Sequence, residues 1–230
     1  MQRFLDIILS GIALVLLSPL LVPVVIILRF TGEGEIFFKQ NRVGRGGKMF
    51  GLYKFATMLK DSPNIGTGTV TVKGDPRVLP VGRILRKTKI NELPQLINIF
   101  LGDMSVIGPR PQTRRCFDAF PEESQAIITT VRPGLSGIGS IVFRDEEEMM
   151  GAASDPDHFY DHVIMPYKGE LEGWYVRNHS LVTYITLIAL TVWVVLSPNS
   201  PIVWRVFPGL PQPPVELAPQ LNWRQVKQRA

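Results

Sequence analysis

The sequence predicts an α/β or α+β fold in a single domain that carries an N-terminal re-entrant membrane helix, interfacial amphipathic helices and a small sheet. Residues 4–28 are almost wholly apolar, as a membrane segment requires. Residues 36–60 mix aromatic and basic residues around Gly44, Gly46 and Gly47, a pattern typical of two short strands joined by a tight turn. Apolar residues recur at helical spacing further on and predict one buried helix face, formed by Leu93, Leu96, Ile97 and Phe100.

The N-terminal apolar segment predicts a helix that breaks and returns to the side from which it entered. Pro19 follows Ser18 near its middle and Pro23 lies one turn later, and proline removes a backbone donor and kinks a helix. Arg3 precedes the segment and Arg29 follows it, so the positive-inside rule draws both ends to the cytoplasm. A re-entrant helix satisfies both ends, and a kinked spanning helix is the alternative.

We divide the chain into three parts. Residues 1–30 form the re-entrant membrane helix, residues 31–196 form a cytoplasmic-face domain with interfacial helices, and residues 197–230 form a proline-rich tail. The apolar stretch 181–196, at 16 residues, is shorter than the ~20 needed to cross a bilayer and predicts an interfacial helix. Seven prolines before Leu221 predict an extended surface segment, which ends in a basic amphipathic stretch at residues 222–229.

Charge is segregated along the chain. Residues 73–115 carry nine Lys or Arg against three acids, whereas residues 145–172 carry nine acids against Lys168 alone. The basic part suits anionic headgroups or nucleotide phosphates, and without a recognition motif it does not favour nucleic acid. The single cysteine, Cys116, excludes an internal disulfide and is typical of a reducing compartment.

A phosphate-handling helix start is predicted near Asn91. Residues 81–89 form a basic helix candidate, and a second helix begins at or near Glu92. Asn91 is then its N-cap, a role that asparagine fills well. The same geometry offers unpaired N–H groups and a positive dipole end to a phosphate. Glu92 lies among cations, so it stays ionised and can hold Mg²⁺ together with substrate phosphates.

Short motifs along the chain have a specific order and spacing. They are Ser18-Pro19, Phe38-Lys39-Gln40-Asn41-Arg42-Val43-Gly44, Tyr53-Lys54-Phe55, Asp75-Pro76-Arg77, Glu92-Leu93-Pro94-Gln95-Leu96, Gly102-Asp103-Met104-Ser105, Gly108-Pro109-Arg110-Pro111, Val131-Arg132-Pro133-Gly134 and Tyr175-Val176. In these motifs the chain resembles, over nearly its whole length, the bacterial sugar transferase family, the monotopic polyprenyl-phosphate phosphoglycosyl transferases.

The resemblance implies transfer of a phosphosugar from a UDP-sugar to polyprenyl (undecaprenyl) phosphate, which releases UMP, needs Mg²⁺ and initiates assembly of a surface glycan. It implies a location at the cytoplasmic face of the bacterial inner membrane. The implied partners are the UDP-sugar, polyprenyl phosphate and membrane lipids, with a homodimer left open and no nucleic acid. In the family an Asp attacks the sugar-linked phosphorus and the next Glu helps to hold the metal. By position these residues are Asn91 and Glu92.

Asn91 departs from the family pattern, because a neutral amide is a poor nucleophile. Three hypotheses follow: direct attack by the lipid phosphate or by another carboxylate, of which Asp103 and Asp145 are nearest in sequence; a pseudoenzyme that binds nucleotide sugar or a partner transferase; and an engineered trap of an active enzyme. We favour the first, because the other site candidates remain. The catalytic candidates are Asn91 and Glu92, with Glu92 also the metal ligand, and the substrate-binding candidates are Lys54, Arg86, Arg110, Arg42, Arg144 and Asp145.

Four residues near the end of the acidic region carry weaker expectations. Lys168 and Glu172 lie four residues apart on a predicted helix and are expected to form a surface ion pair. Trp174 and Tyr175 are expected to be either membrane-interface anchors or substrate contacts.

Overall fold

The computed structural model describes residues 1–64, 75–151, 154–197 and 200–223. Within these ranges it contains helices and two small two-stranded sheets, which confirms the predicted α/β class. The chain forms two compact units. We call Phe4–Asn41 with Gly51–Gly102 the N-terminal unit, and Met1–Arg3, Arg42–Phe50 and Asp103–Ala230 the C-terminal unit. The three-part domain division stays a prediction.

Helix α1 (Gln2–Arg29) is the long apolar helix that the sequence predicts. Its helical backbone runs through Pro19 and Pro23, so the secondary structure continues through the expected break after Ser18, and a bend at that point stays a prediction. A proline removes one backbone donor, and the hydrogen bonds of the turns on either side can hold the helix together. Length and composition suffice for α1 to cross a membrane, and its predicted return to one side stays a prediction.

The α1 helix contributes its last two turns to the core of the N-terminal unit. Val24 and Leu28 pack there with Phe55 and Leu85. Most of its other apolar side chains are exposed, among them Val15 and Leu16. Such a surface on a helix this long suits a lipid environment better than water.

The predicted pair of strands is confirmed. Strand β1 (Phe37–Val43) pairs with β2 (Met49–Phe55), and a 3-10 turn at Arg45–Gly47 joins them. Gly46 and Gly47 have φ values of 68° and 71°, a left-handed conformation that glycine adopts without steric cost. The turn glycines therefore position the strand that carries Lys54.

The predicted basic helix is α2 (Pro80–Lys87), and α3 (Gln95–Leu101) follows a 3-10 turn at Ile90–Glu92. Gly102 ends α3 with a φ of 105°, as expected of a C-terminal glycine. The predicted apolar face of α3 is partly wrong, because Phe100 is 46% exposed.

The buried face of α3 is centred on Asn98 and Ile99 instead. Asn98 accepts a hydrogen bond from the Tyr53 N–H at 2.9 Å and donates one to the Gly51 carbonyl at 2.9 Å. These two bonds attach α3 to β2, and they turn the helix so that an amide lies inside the unit.

The C-terminal unit contains a short parallel pair of strands, β3 (Ser105–Ile107) and β4 (Gly134–Ser136). The chain between them contains α4 (Arg114–Asp118) and α5 (Glu122–Ile128). A Cβ on Gly134 would lie 2.1 Å from the Gly108 nitrogen, so the close approach of the two strands requires glycine there.

The remaining helices of this unit follow in order. They are α6 (Ile138–Val142), α7 (Glu146–Gly151), α8 (Pro156–Phe159) with a π-helical turn at Tyr160–Ile164, α9 (Met165–Arg177), α10 (Leu181–Leu196) and α11 (Ile202–Val206). Helix α9 packs against α5 and α6. Helix α10 confirms the helix predicted at residues 181–196, whereas its interfacial position stays a prediction.

Helix α9 corrects two expectations. Lys168 and Glu172 are 2% and 1% exposed, so they are not a surface pair. Tyr175 is also buried, and its hydroxyl donates to the Ile107 carbonyl at 3.2 Å, which excludes an interfacial anchor. Trp174 packs edge-to-face against Phe207, with ring centroids 5.2 Å apart. Packing of α9 against α5 and α6 overrides the exposure that its charges predict.

The proline-rich tail is not an extended surface segment over its described residues. Trp204 and Leu217 are buried, and the Trp204 indole donates to the Leu221 carbonyl at 3.0 Å. Apolar residues between the prolines bury enough surface to hold the segment in place. Of the predicted basic stretch 222–229, residues 224–229 lie outside the described residues.

Candidate active site

Asn91 and Glu92 lie in a tight turn, and the predicted N-cap is wrong. Lys89 adopts a left-handed conformation, with a φ of 59°, and the 3-10 turn follows it directly. The Glu92 N–H donates to the Lys89 carbonyl and the Leu93 N–H to the Ile90 carbonyl, each at 3.1 Å. Because the backbone satisfies these donors, they are not available to a capping side chain or a phosphate.

Helix α3 begins after this turn, and two of its first N–H groups are also satisfied. The Leu96 N–H donates to the Leu93 carbonyl and the Ile97 N–H to the Pro94 carbonyl, both at 3.0 Å. These backbone N–H groups are therefore not free to bind a phosphate, and the predicted phosphate site itself stays a prediction.

The Asn91 side chain is buried, with 8% exposure. Its Oδ1 atom has no hydrogen-bond partner among the residues that the structure describes. An unsatisfied buried acceptor costs ~1–3 kcal/mol. Such an atom indicates a position that a ligand's donor or a cation completes.

Glu92 faces Lys54 of β2. The Lys54 Nζ and the Glu92 Oε1 are 4.0 Å apart, and both side chains are about one-fifth exposed. This separation is at the long limit of an ion pair. Arg86, at the end of α2, places Nη1 3.6 Å from the Met58 sulfur, a weak acceptor that a phosphate oxygen would easily replace.

The donor set near Asn91 fits a magnesium ion that also binds substrate. No group of three or more acidic, His or Cys side chains comes together in the described ranges. Mg²⁺, however, is commonly held by one or two carboxylates with substrate phosphates and water. Glu92 supplies one carboxylate. The unpaired buried Oδ1 of Asn91, the preceding residue, is an uncharged oxygen that could serve as a second metal ligand.

In the C-terminal unit, the structure brings Arg42 to the loop of Arg110. Arg42 donates to the Pro111 carbonyl at 3.2 Å. The backbone N–H of Arg110 donates to the Glu172 carboxylate at 3.3 Å. Arg42, in β1, therefore contacts the loop that carries Arg110 and that prolines 109 and 111 stiffen.

Arg144 and Asp145 are exposed in the turn between α6 and α7. The Asp145 carbonyl accepts from the Glu148 and Met149 N–H groups at 3.0 and 3.1 Å and so starts α7. The roles assigned to all eight candidate residues stay predictions.

The sequence interpretation missed Glu172 as a buried group at the Arg110 loop. Burial raises its pKa to about 7, opposed by the Arg110 N–H and by the charge of Lys168. The available signal was the small residue beside each charge: Gly169 and Gly173 follow Lys168 and Glu172 directly. Glycines beside charged helix positions allow close packing, which an exposed helix does not need.

Comparison with known proteins assigns the family. The family model described as bacterial sugar transferase matches residues 1–198. This chain belongs to the bacterial sugar transferase family.

Three relatives illustrate the match. A UDP-N-acetylgalactosamine-undecaprenyl-phosphate N-acetylgalactosaminephosphotransferase of Aeromonas hydrophila is 36% identical over 198 residues, which are 85% of this chain and 44% of the relative. The exopolysaccharide production protein ExoY of Rhizobium meliloti is 32% identical over 205 residues, 83% of each chain. A UDP-glucose:undecaprenyl-phosphate glucose-1-phosphate transferase of Escherichia coli is 31% identical over 84% of this chain and 39% of the relative. The chain therefore spans less than half of two of these relatives.

Proposed function

We propose that this protein transfers a sugar phosphate from a UDP-sugar to undecaprenyl phosphate and releases UMP. The reaction would initiate surface glycan assembly at the cytoplasmic face of the bacterial inner membrane. One observation carries the proposal: Glu92 faces Lys54 at 4.0 Å, directly after a buried Asn91 with an unpaired oxygen, in a chain that the family model matches over residues 1–198. The names of the relatives, which include undecaprenyl-phosphate phosphotransferases, support the same reaction.

The side chains near Asn91 would bind and orient the diphosphate of the UDP-sugar. Lys54 and Arg86 would donate to its phosphate oxygens, because cations form strong charge-assisted hydrogen bonds to phosphate. Glu92 would hold Mg²⁺, which neutralises phosphate charge and orients the leaving group when bound. The Asn91 amide would donate to a phosphate oxygen from a buried position.

Asn91 cannot attack phosphorus as an ionised carboxylate would. In this chain we therefore propose direct transfer. A phosphate oxygen of undecaprenyl phosphate forms the new bond to the sugar-bearing phosphorus, while the bond from that phosphorus to the bridging oxygen breaks. The electron pair leaves with UMP, so the reaction needs no covalent enzyme intermediate.

Release of UMP tests the proposal. The chain in detergent would be assayed with undecaprenyl phosphate, Mg²⁺ and a panel of UDP-sugars, beside Asn91→Asp and Glu92→Gln. We expect turnover by the unchanged chain, loss in Glu92→Gln and no loss in Glu35→Gln. Glu35 is a matched control because it is an exposed acid whose partner, Lys60, lies 2.7 Å away.

Mass spectrometry of the intact protein without acceptor distinguishes the chemical routes. Direct transfer predicts no phosphosugar adduct on the unchanged chain. Turnover only in Asn91→Asp, together with an adduct on that variant, would reject direct transfer and support a trapped enzyme. Inactivity of both proteins with every sugar would overturn the transferase proposal.

A binding role is the second candidate function, and the neutral Asn91 favours it. A pseudoenzyme would retain nucleotide-sugar affinity without turnover in either protein. Isothermal titration with the UDP-sugar panel measures this directly. Glu92→Gln should weaken that binding in the presence of Mg²⁺, whereas Glu35→Gln should leave it unchanged.

A further inference from the structure

Helix α9 carries two buried charges one turn apart. Lys168 and Glu172 are 2% and 1% exposed. Burial of an ion costs several kcal/mol even after relaxation, and apolar residues of similar size often serve stability as well or better. These charges therefore call for an explanation other than stability.

Glu172 connects the Arg110 loop to the start of helix α6 in the C-terminal unit. It accepts the backbone N–H of Arg110 at 3.3 Å and also that of Gly139, near the start of α6. Arg110 lies between two prolines that have no N–H to donate. The Glu172 carboxylate is thus the partner of the one backbone donor between residues 109 and 111.

Lys168 makes the corresponding connection one turn earlier. Its Nζ donates to Glu146 Oε2 at 2.7 Å and lies 5.5 Å from the centre of the Phe143 ring. Glu146 is the first residue of α7 and directly follows Arg144 and Asp145. The exposed turn that bears these two residues is therefore attached at its end to the buried face of α9.

We propose that Lys168 and Glu172 are positioning residues, which hold the Arg144–Asp145 turn and the Arg110 loop, respectively, on the rigid helix α9. Both loops carry candidate side chains for phosphate, so the ligand class is the diphosphate of a nucleotide sugar or the phosphate of its lipid acceptor. That assignment rests on the proposed function. The attachment of the loops does not, and it can be measured without turnover.

One feature that the carboxylates of Glu172 and Glu146 share supports the proposal. Glu172 Oε2 and Glu146 Oε1 are buried without hydrogen-bond partners in the described part of the chain. Each carboxylate therefore uses one oxygen to hold a loop and leaves the other unsatisfied. An arrangement selected for stability alone would satisfy both oxygens.

Hydrogen exchange measured by mass spectrometry on the full chain tests each attachment separately. In Glu172→Met we expect the Arg110 amide to exchange about tenfold faster or more, because its acceptor is gone. The Gly108 amide, held by the Ser136 carbonyl at 2.9 Å, is an internal reference in the same peptide. Lys168→Met should leave Arg110 unchanged and accelerate exchange in residues 144–149 instead.

Further variants separate hydrogen bonding from packing. Glu172→Gln retains an acceptor and should keep exchange at Arg110 near that of the unchanged chain. Glu170→Gln changes an exposed acid on the same helix and should alter neither peptide. If Glu172→Met does not fold, Glu172→Asp replaces it, because the shorter side chain withdraws the carboxylate from the Arg110 N–H.

Kinetics then connect the attachment to the ligand. In a background that turns over, Glu172→Met should raise KM for the UDP-sugar about tenfold or more with a smaller change in kcat, as expected for lost positioning. Unchanged exchange at Arg110 in Glu172→Met, or equal effects of both Met variants on both peptides, would overturn the proposal. Altered exchange without turnover in any background would leave the positioning role supported and the transferase function rejected.

Discussion

The Glu172 carboxylate occupies the space that a side chain at position 139 would need. A Cβ built on Gly139 would lie 2.3 Å from Glu172 Oε1. Glu172 is buried and is held by two backbone N–H groups, so its carboxylate cannot move to solvent without breaking those bonds. The two residues are therefore coupled by packing and by hydrogen bonding.

Gly139→Ala should lower the free energy of unfolding by ~1–3 kcal/mol, because the added methyl displaces the carboxylate. Adding Glu172→Asp should recover part of the loss, since the shorter side chain leaves room. Thermal unfolding of the single and double variants in detergent measures this coupling. Gly151→Ala is the control, because a Cβ there meets nothing within 4 Å. If the effects of Gly139→Ala and Glu172→Asp on the free energy of unfolding were strictly additive, direct contact between the two residues would be contradicted.

Stability should fall as pH rises from 5 to 8. Burial raises the pKa of Glu172 from 4.5 to about 7 in the folded protein. Between these two pKa values the folded state retains a proton that the unfolded state has released. The contribution of Glu172 to the free energy of unfolding is therefore present at low pH and is lost as the pH rises through 7. The difference between the two pKa values corresponds to ~3 kcal/mol at most. Glu172→Gln should reduce this slope and Glu170→Gln should not, as measured by melting temperature against pH. Equal slopes in both variants would exclude Glu172 as the source.

Substitution by glycine should have opposite effects at two lysines that are two residues apart. Lys89 is left-handed, with a φ of 59°, and Lys89→Gly removes a steric cost of about 1 kcal/mol. Lys87 is the last residue of α2, where Lys87→Gly costs up to about 1 kcal/mol. Both side chains are exposed. Melting temperatures of the two variants that shift in the same direction would contradict a strained left-handed backbone at Lys89.

Asn98→Ala should lower the free energy of unfolding by ~2–4 kcal/mol. It removes two hydrogen bonds and leaves the Tyr53 N–H and the Gly51 carbonyl unsatisfied inside the N-terminal unit. Asn178→Ala is a matched control, because the Asn178 amide is exposed and donates to the Trp174 carbonyl at 2.9 Å. Denaturant unfolding of both variants measures the two free energies of unfolding. A similar small decrease in each would show that the Asn98 hydrogen bonds do not stabilise the attachment of α3 to β2.

Local patterns predicted the elements well. The glycines at 44–47 predicted the turn between β1 and β2, and Gly102 predicted the end of α3, because each depends on the conformational freedom of one residue. The motifs likewise predicted the family that the comparisons confirm. Helix periodicity failed at Phe100, where side-chain hydrogen bonds from Asn98 decide which face is buried.

The sequence by itself determined the apolar N-terminal helix, the strand pair, the basic helix before Asn91 and the absence of a carboxylate at that position. These features depend on residue type and near neighbours. Only the tertiary structure showed that Asn91 lies buried in a tight turn instead of capping a helix, and that Lys168 and Glu172 are internal. Burial of a charge depends on partners far away in sequence: Glu172 meets Arg110 at a separation of 62 residues, which no local pattern records.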